Sequence, residues 1–234
     1  MDTLIICAGM GTRLKELTKD TNKCLFKIGE KSIISTTVDT LKENGIEKVY
    51  TVLGYCAEQI EEELKGKVNF LYNPKYATTG LLASVIEGKE KLVGKDFLLM
   101  AGDSIMHPQI IKEFINTQGQ VLVSVELKKC DEEDVKAVIK LDKIIKMSKE
   151  VPIEEASGEF TSLIKIPKES SKAFFEEIEE FIKLGSQNKY IANIVMFLQD
   201  RGFDVKPVYT NHPRIEVDYP EDLEKAREMF RHLL

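Results

Sequence analysis

Residues Leu4 to Arg13, LIICAGMGTR, carry an apolar segment into a glycine turn, and Lys23 follows within the same loop. Gly9 and Gly11 lack a β-carbon, so their backbone can take positive φ and bring N–H groups close to an anion. Arg13 adds a permanently charged fork for phosphate oxygens, and Lys23 supplies a second positive charge. These residue types in this order suit a nucleotide phosphate. Two commoner glycine loops do not fit. A dinucleotide fingerprint needs a third glycine where this chain has the bulky Leu14, and a Walker A loop needs Gly-Lys-Ser/Thr, which does not follow Gly11.

Two carboxylates sit where they could meet that loop. Asp103 ends the run FLLMAGD, so it would emerge at the end of a strand, and a hard cation prefers such oxygen ligands. With Ser104 and Pro108 after it, Asp103 also suits a turn or a helix cap. Asp218 follows RIEV where a strand gives way to a helix opening near Pro220, so it suits an N-cap equally well. Strand alternation puts Glu216 on the same face as Asp218. The clusters Glu61 to Glu63 and Glu176 to Glu180 are expected on the solvated faces of amphipathic helices, without chemistry. His107, His212 and His232 lack metal-ligand spacing, and no Ser-His-Asp constellation can be argued, so hydrolysis by a protein nucleophile is disfavoured.

The elements that must position these residues read as alternating strands and helices. Apolar runs at 4–7, 49–53, 68–72, 97–101 and 121–125 alternate with stretches of helical period, which predicts an α/β fold with a doubly wound, mainly parallel sheet. Gly45 fits the end of one helix, and Pro220 the first turn of the last. After about residue 126 the pattern changes to short strands in AVIKL, IIKMSK and GEFTSLIKI, then a helix in AFFEEIEEFIKLG closed by Gly185. In an open α/β sheet the ligand lies beyond the carboxyl ends of the strands, so this small insertion is expected to wall the acceptor side of that crevice.

Composition narrows the function classes. At 234 residues the chain can build one sizeable core, and the absence of a linker makes one domain over 1–234 the expectation. Its first half, 1–126, would bind nucleotide; 127–234 would bind acceptor and return to the sheet. A net charge of −6 argues against a nucleic-acid groove. No apolar run approaches membrane-spanning length and the sequence opens on a strand, so neither membrane insertion nor secretion is indicated and a cytoplasmic setting is expected. Cys7, Cys24, Cys56 and Cys130 show no CxxC spacing and read as reduced, structural thiols.

The stretch Gly9-Met10-Gly11-Thr12-Arg13-Leu14, followed by Asn22-Lys23-Cys24-Leu25, resembles the nucleotidyltransferases that activate sugar phosphates and related small phosphates, whose signature is GxG(T/S)RL and then Pro-Lys. Asn22 stands where that family usually carries proline, which would stiffen the loop presenting the lysine. The resemblance continues through NPKYATTGLLASV, FLLMAGDS and RIEVDYPEDLEKA, and is weakest over 128–190. In size and in the NPKY segment the chain is most similar to small cytidylyltransferases acting on phosphocholine, other alkyl phosphates or inositol phosphate.

That resemblance implies the nucleotide-diphospho-sugar transferase type of Rossmann-like fold and a Mg²⁺ cofactor held by Asp103 and Asp218, with Glu216 assisting. It makes Ala8, Gly9, Met10, Gly11, Thr12, Arg13 and Lys23 the triphosphate site, and Asn73, Gly80 and Ser84 contacts to the nucleobase. Glu159 and Lys165 fall where the family often places contacts to the phosphorylated acceptor. The expected partners are a nucleoside triphosphate, CTP first, and a small phosphorylated acceptor. Sequence alone keeps two other readings: a sugar-1-phosphate nucleotidyltransferase using dTTP, UTP or GTP, and a nucleotide-binding regulatory subunit without turnover. The chain has no tryptophan, the strongest partner for a quaternary ammonium, which weakens choline as the acceptor group.

Overall fold

Strands that are apolar at every position need cover on both faces, and the chain meets that need by winding helices over each side of a central sheet. The computed structural model describes residues 1–185 and 190–231; His232 lies outside them. The strands are β1 (Asp2–Ile6), β2 (Lys27–Ile28), β3 (Lys31–Ser32), β4 (Val49–Leu53), β5 (Asn69–Tyr72), β6 (Phe97–Ala101) and β7 (Ser104–Met106). They continue as β8 (Val121–Glu126), β9 (Lys136–Lys140), β10 (Lys143–Ser148), β11 (Gly158–Ile166), β12 (Val205–Thr210) and β13 (Arg214–Glu216). The nine-stranded main sheet runs β10-β9-β11-β6-β1-β4-β5, with β8 joined to β11 and β12 joined to β8.

β1 pairs in parallel with β4 on one side and β6 on the other. The chain lays down β1, β4 and β5 outward and then returns to place β6 across β1, so the winding direction reverses between β1 and β6. The crevice beyond the carboxyl ends of strands at such a switch point is where α/β sheets bind ligands. The expected doubly wound, mainly parallel sheet is therefore present, with antiparallel β11 completing it beside β6. The inserted region joins this sheet at its edge, through the β9–β10 hairpin and its pairing to β11.

Neighbouring residues along each strand feed opposite cores. Leu4 and Leu99 pack into one cluster with Phe97, Phe174 and Phe175; Ile5, Leu98 and Met100 pack into the other with Val38 and Phe114. The helix Ile33–Glu43 opens on Ser32, whose Oγ accepts the Ser35 N–H, and is followed by Gly45 in the left-handed region. The helix Lys168–Lys183 is likewise followed by Gly185 at φ 70°, and Pro220 opens the helix Pro220–Met229. A third cluster joins Leu14 to Ile105, Val217, Leu223 and Phe230, so the leucine of the glycine loop is packed against the returning C-terminal segment. Among the described residues no helix is long and apolar enough to cross a membrane.

The two acidic clusters stay largely on solvated faces, as expected, with one buried member, Glu177, and one that is engaged by hydroxyls, Glu63. Glu63 Oε1 accepts the hydroxyls of Ser32 and Ser35, which ties it to the start of the helix Ile33–Glu43. Glu177 is buried on the helix Lys168–Lys183.

Candidate active site

The short antiparallel ladder between β7 and β13 brings the distant acidic residues together. Ser104 lies opposite Glu216, and the Val217 N–H donates to the Asp103 carbonyl at 3.0 Å. Carboxylate oxygens of Asp103, Glu216 and Asp218 consequently lie within 4.8 Å of one another. Asp103 follows Gly102, where a side chain would force its neighbours to shift: a β-carbon there would lie 2.3 Å from Cys7 Sγ and 3.0 Å from the Ile6 carbonyl.

Opposite the carboxylates stand the two cations of the glycine loop. Lys23 Nζ bridges Asp103 Oδ2 and Asp218 Oδ1, the latter at 2.8 Å, and Arg13 reaches Asp218 Oδ2 at 3.0 Å. The Arg13 guanidinium also lies 5.4 Å from the centroid of the Tyr219 ring. Gly11 takes φ +62°, and a β-carbon on it would come within 3.3 Å of Lys23 Cδ, so its bareness serves both the turn and the approach of the lysine. Gly9 does not use positive φ; it lines the cavity with open space where a side chain would be.

Electrostatics follow from this packing. Burial pulls the Lys23 ammonium toward neutrality, but Asp103 and Asp218 outweigh it and hold the charge above the ordinary lysine range. Burial, with Asp103 and Asp218 repelling, pushes the Glu216 carboxyl up to about 7 against the pull of Arg214 and Lys23. Asp103 Oδ1 is buried and has no hydrogen-bond partner among the described residues. A converging set of hard oxygens with one buried acceptor left open is a donor set that fits a divalent cation.

Arg13, Lys23, Asp103, Glu216 and Asp218 line a cavity of about 350 Å³. Ala8, Gly9, Gly11, Thr12, Gly80 and Ser84 also line it, whereas Met10, Asn73, Glu159 and Lys165 do not. Asn73 is buried behind the wall, where its Nδ2 donates to Ser84 Oγ at 3.0 Å and its Oδ1 accepts the Lys75 N–H. Glu159 is drawn away by Arg214 at 2.7 Å and Lys128 at 2.9 Å. Lys165 alternates to the opposite face of β11, where its Nζ donates to the Ile115 and Thr117 carbonyls at the C-terminal end of the helix Pro108–Asn116. His107 and His212 stack with ring centroids 4.8 Å apart, outside the cavity.

The cavity also has walls that the sequence did not reveal: Tyr76, Thr79, Ser162, Ile164 and Ile191. Ser162 sits at φ +58° where the β11–β8 register shifts, and its Oγ donates to Glu216 Oε2 at 3.5 Å. The only sign of that bulge in the sequence is a hydroxyl pair, Thr161-Ser162, interrupting an apolar strand.

A family model described as nucleotidyl transferase matches residues 2–231. The chain belongs to the nucleotidyl transferase family. Among curated relatives, the bifunctional protein GlmU of Methanococcus vannielii is 34% identical over 167 residues, which is 69% of this chain and 38% of that protein. The chain thus spans well under half the length of that relative. The CTP:phosphoglutamine cytidylyltransferase of Campylobacter jejuni is 24% identical over 250 residues, covering 96% of this chain and 98% of the relative. The solved structure of CTP:phosphocholine cytidylyltransferase from Streptococcus pneumoniae shares the fold, with a TM-score of 0.82, 21% identity and 98% coverage of each chain.

Proposed function

We propose that this nucleotidyltransferase is a Mg²⁺-dependent cytidylyltransferase that joins CTP to a small phosphorylated acceptor and releases pyrophosphate, its two halves acting as one domain. The observation that carries the proposal is the convergence of Asp103, Glu216 and Asp218 on Lys23 and Arg13 in the lining of the cavity. The near full-length match to a cytidylyltransferase supports CTP as the donor.

Nucleotidyl transfer has an acceptor phosphate oxygen attack the α-phosphorus, forming a P–O bond as the bond to the pyrophosphate oxygen breaks. Both reactants are anions, so the work is neutralising charge and holding the partners in line. Asp103 and Asp218, assisted by Glu216, would hold Mg²⁺, which supplies Lewis-acid neutralisation of the reacting phosphate when bound. Arg13 and the backbone N–H groups from Ala8 to Thr12 would receive the triphosphate. Lys23, already charged and aimed at the carboxylates, would follow the charge that develops on the α-phosphate. Thr79, Gly80 and Ser84 form the wall suited to a nucleobase, and Asn73 acts there by fixing Ser84. With Glu159 and Lys165 engaged elsewhere, Ser162, Ile164 and Ile191 are the residues offered to the acceptor.

The test is pyrophosphate release from CTP, UTP, dTTP and GTP, each with alkyl, polyol and sugar phosphates. Release above background with CTP and an alkyl or polyol phosphate is expected. A clear preference for another triphosphate with a sugar 1-phosphate would replace the reading with the sugar-nucleotide one. Tight triphosphate binding without release would favour a regulatory subunit.

A further inference from the structure

Asn22, in the place of the signature proline, is buried to 1% exposure. Its Nδ2 donates to the Cys7 and Tyr55 carbonyls, each at 2.9 Å, with a longer contact of 3.4 Å to the Gly9 carbonyl. Its Oδ1 accepts the Cys24 N–H at 3.0 Å, capping the single turn Lys23–Leu25. One carboxamide therefore ties together the end of β1, the glycine turn, the loop after β4 and the backbone beyond Lys23. The Tyr55 segment it grips is itself fixed, since the Tyr55 N–H donates to the Ala8 carbonyl at 3.2 Å and its hydroxyl donates to the Thr18 carbonyl at 2.8 Å.

We infer that Asn22 is a positioning residue for Lys23, supplying through the three short hydrogen bonds of its carboxamide the rigidity that a proline ring supplies through its fixed φ. Asn22 sits at φ −80° and ψ 138°, inside the range open to proline, so the two solutions are interchangeable for the backbone. They differ in what surrounds it: proline has no N–H for the Cys7 and Tyr55 carbonyls, whereas the amide occupies both. Lys23 is the beneficiary because the caps lie on either side of it in the chain while its side chain is only 13% exposed between Asp103 and Asp218. This inference rests on the reading of Lys23 as the cation that serves the triphosphate. It also removes the departure at residue 22 as support for a chain without turnover.

The experiment compares Asn22→Ala, Asn22→Pro and Lys23→Ala, singly and as the Asn22→Ala/Lys23→Ala pair. Two readouts need no turnover: the rate at which a limiting amine-reactive ester acylates Lys23, read by mass spectrometry, and hydrogen exchange of the Cys24 amide. Both should rise at least roughly tenfold in Asn22→Ala, as expected when a buried cap is removed. In turnover, Asn22→Ala should lose roughly ten- to a hundredfold in kcat with little change in KM, Asn22→Pro should recover most of the loss, and the pair should be no slower than Lys23→Ala. Wild-type Lys23 acylation and Cys24 exchange in Asn22→Ala would overturn the inference, as would a loss that multiplies that of Lys23→Ala. Should Asn22→Ala fail to fold, Asn22→Pro carries the test: Lys23 protected as in wild type supports the exchange of devices, and Lys23 exposed overturns it. A wild type silent with every triphosphate would sink the transferase reading instead, leaving the labelling result to decide the role of Asn22.

Discussion

At the scale of single residues the site is governed by three carboxylates whose oxygens lie within 4.8 Å of one another, and Glu216 records the strain. An ordinary glutamate titrates near 4.5, whereas burial and the repulsion of Asp103 and Asp218 raise this one to about 7. The folded chain therefore keeps a proton there that the unfolded chain releases. Stability from this group is present below pH 4.5, declines as pH rises toward 7 and stays lost above it. Glu216→Gln cannot lose that proton. In the presence of EDTA the variant should melt higher than wild type at pH 8, with the gap closing toward pH 4.5, as thermal unfolding across pH would report. A gap that does not vary with pH would contradict the environment assigned to Glu216.

The same strain appears among elements, where small contacts set the aim of large ones. Gly102 lets β6 end directly against Cys7 and Ile6 so that Asp103 faces Lys23. Gly102→Ala should cost about 1–3 kcal/mol by overpacking, and should lower turnover beyond what the loss of folded protein explains. Because the nearest obstacle is Cys7 Sγ, Cys7→Ala in the same chain should return part of the stability in calorimetry; no recovery would mean that the clash lies elsewhere. Most elements were legible in the sequence: the runs 49–53 and 97–101 coincide with β4 and β6, because short, nearly continuous apolar runs allow few other solutions, and the mixed segment 158–166 coincides with β11. Arg13, Lys23, Asp103 and Asp218 were legible through their order along the chain, and the structure brings all four together. What stayed hidden depends on contacts that no local pattern encodes. The bulge at Ser162 is set by pairing with β8, Lys165 is captured by carbonyls near the end of a distant helix, and Glu159 is claimed by Arg214. Proline's absence at residue 22 reads as a loss in one dimension and as a brace in three.

Over the whole molecule, the cavity is assembled from both ends of the chain. The first half contributes the glycine loop, Lys23 and Asp103; the second closes the site with Ser162 on β11 and with Glu216 and Asp218, which are carried in by the β7–β13 ladder and anchored by packing of Val217 with Leu14. Neither half holds the full set of charges, so activity should demand the intact chain and a divalent ion together. The most direct measurement is pyrophosphate release with CTP and an acceptor phosphate, in Mg²⁺ and in EDTA, for wild type, Asp103→Asn and Asp218→Asn, each checked by circular dichroism. The account predicts release only with Mg²⁺ and a fall of at least roughly a hundredfold in each folded variant, the scale of losing a charge that serves the transition state. Undiminished release in EDTA, or wild-type rates from either asparagine variant, would contradict it.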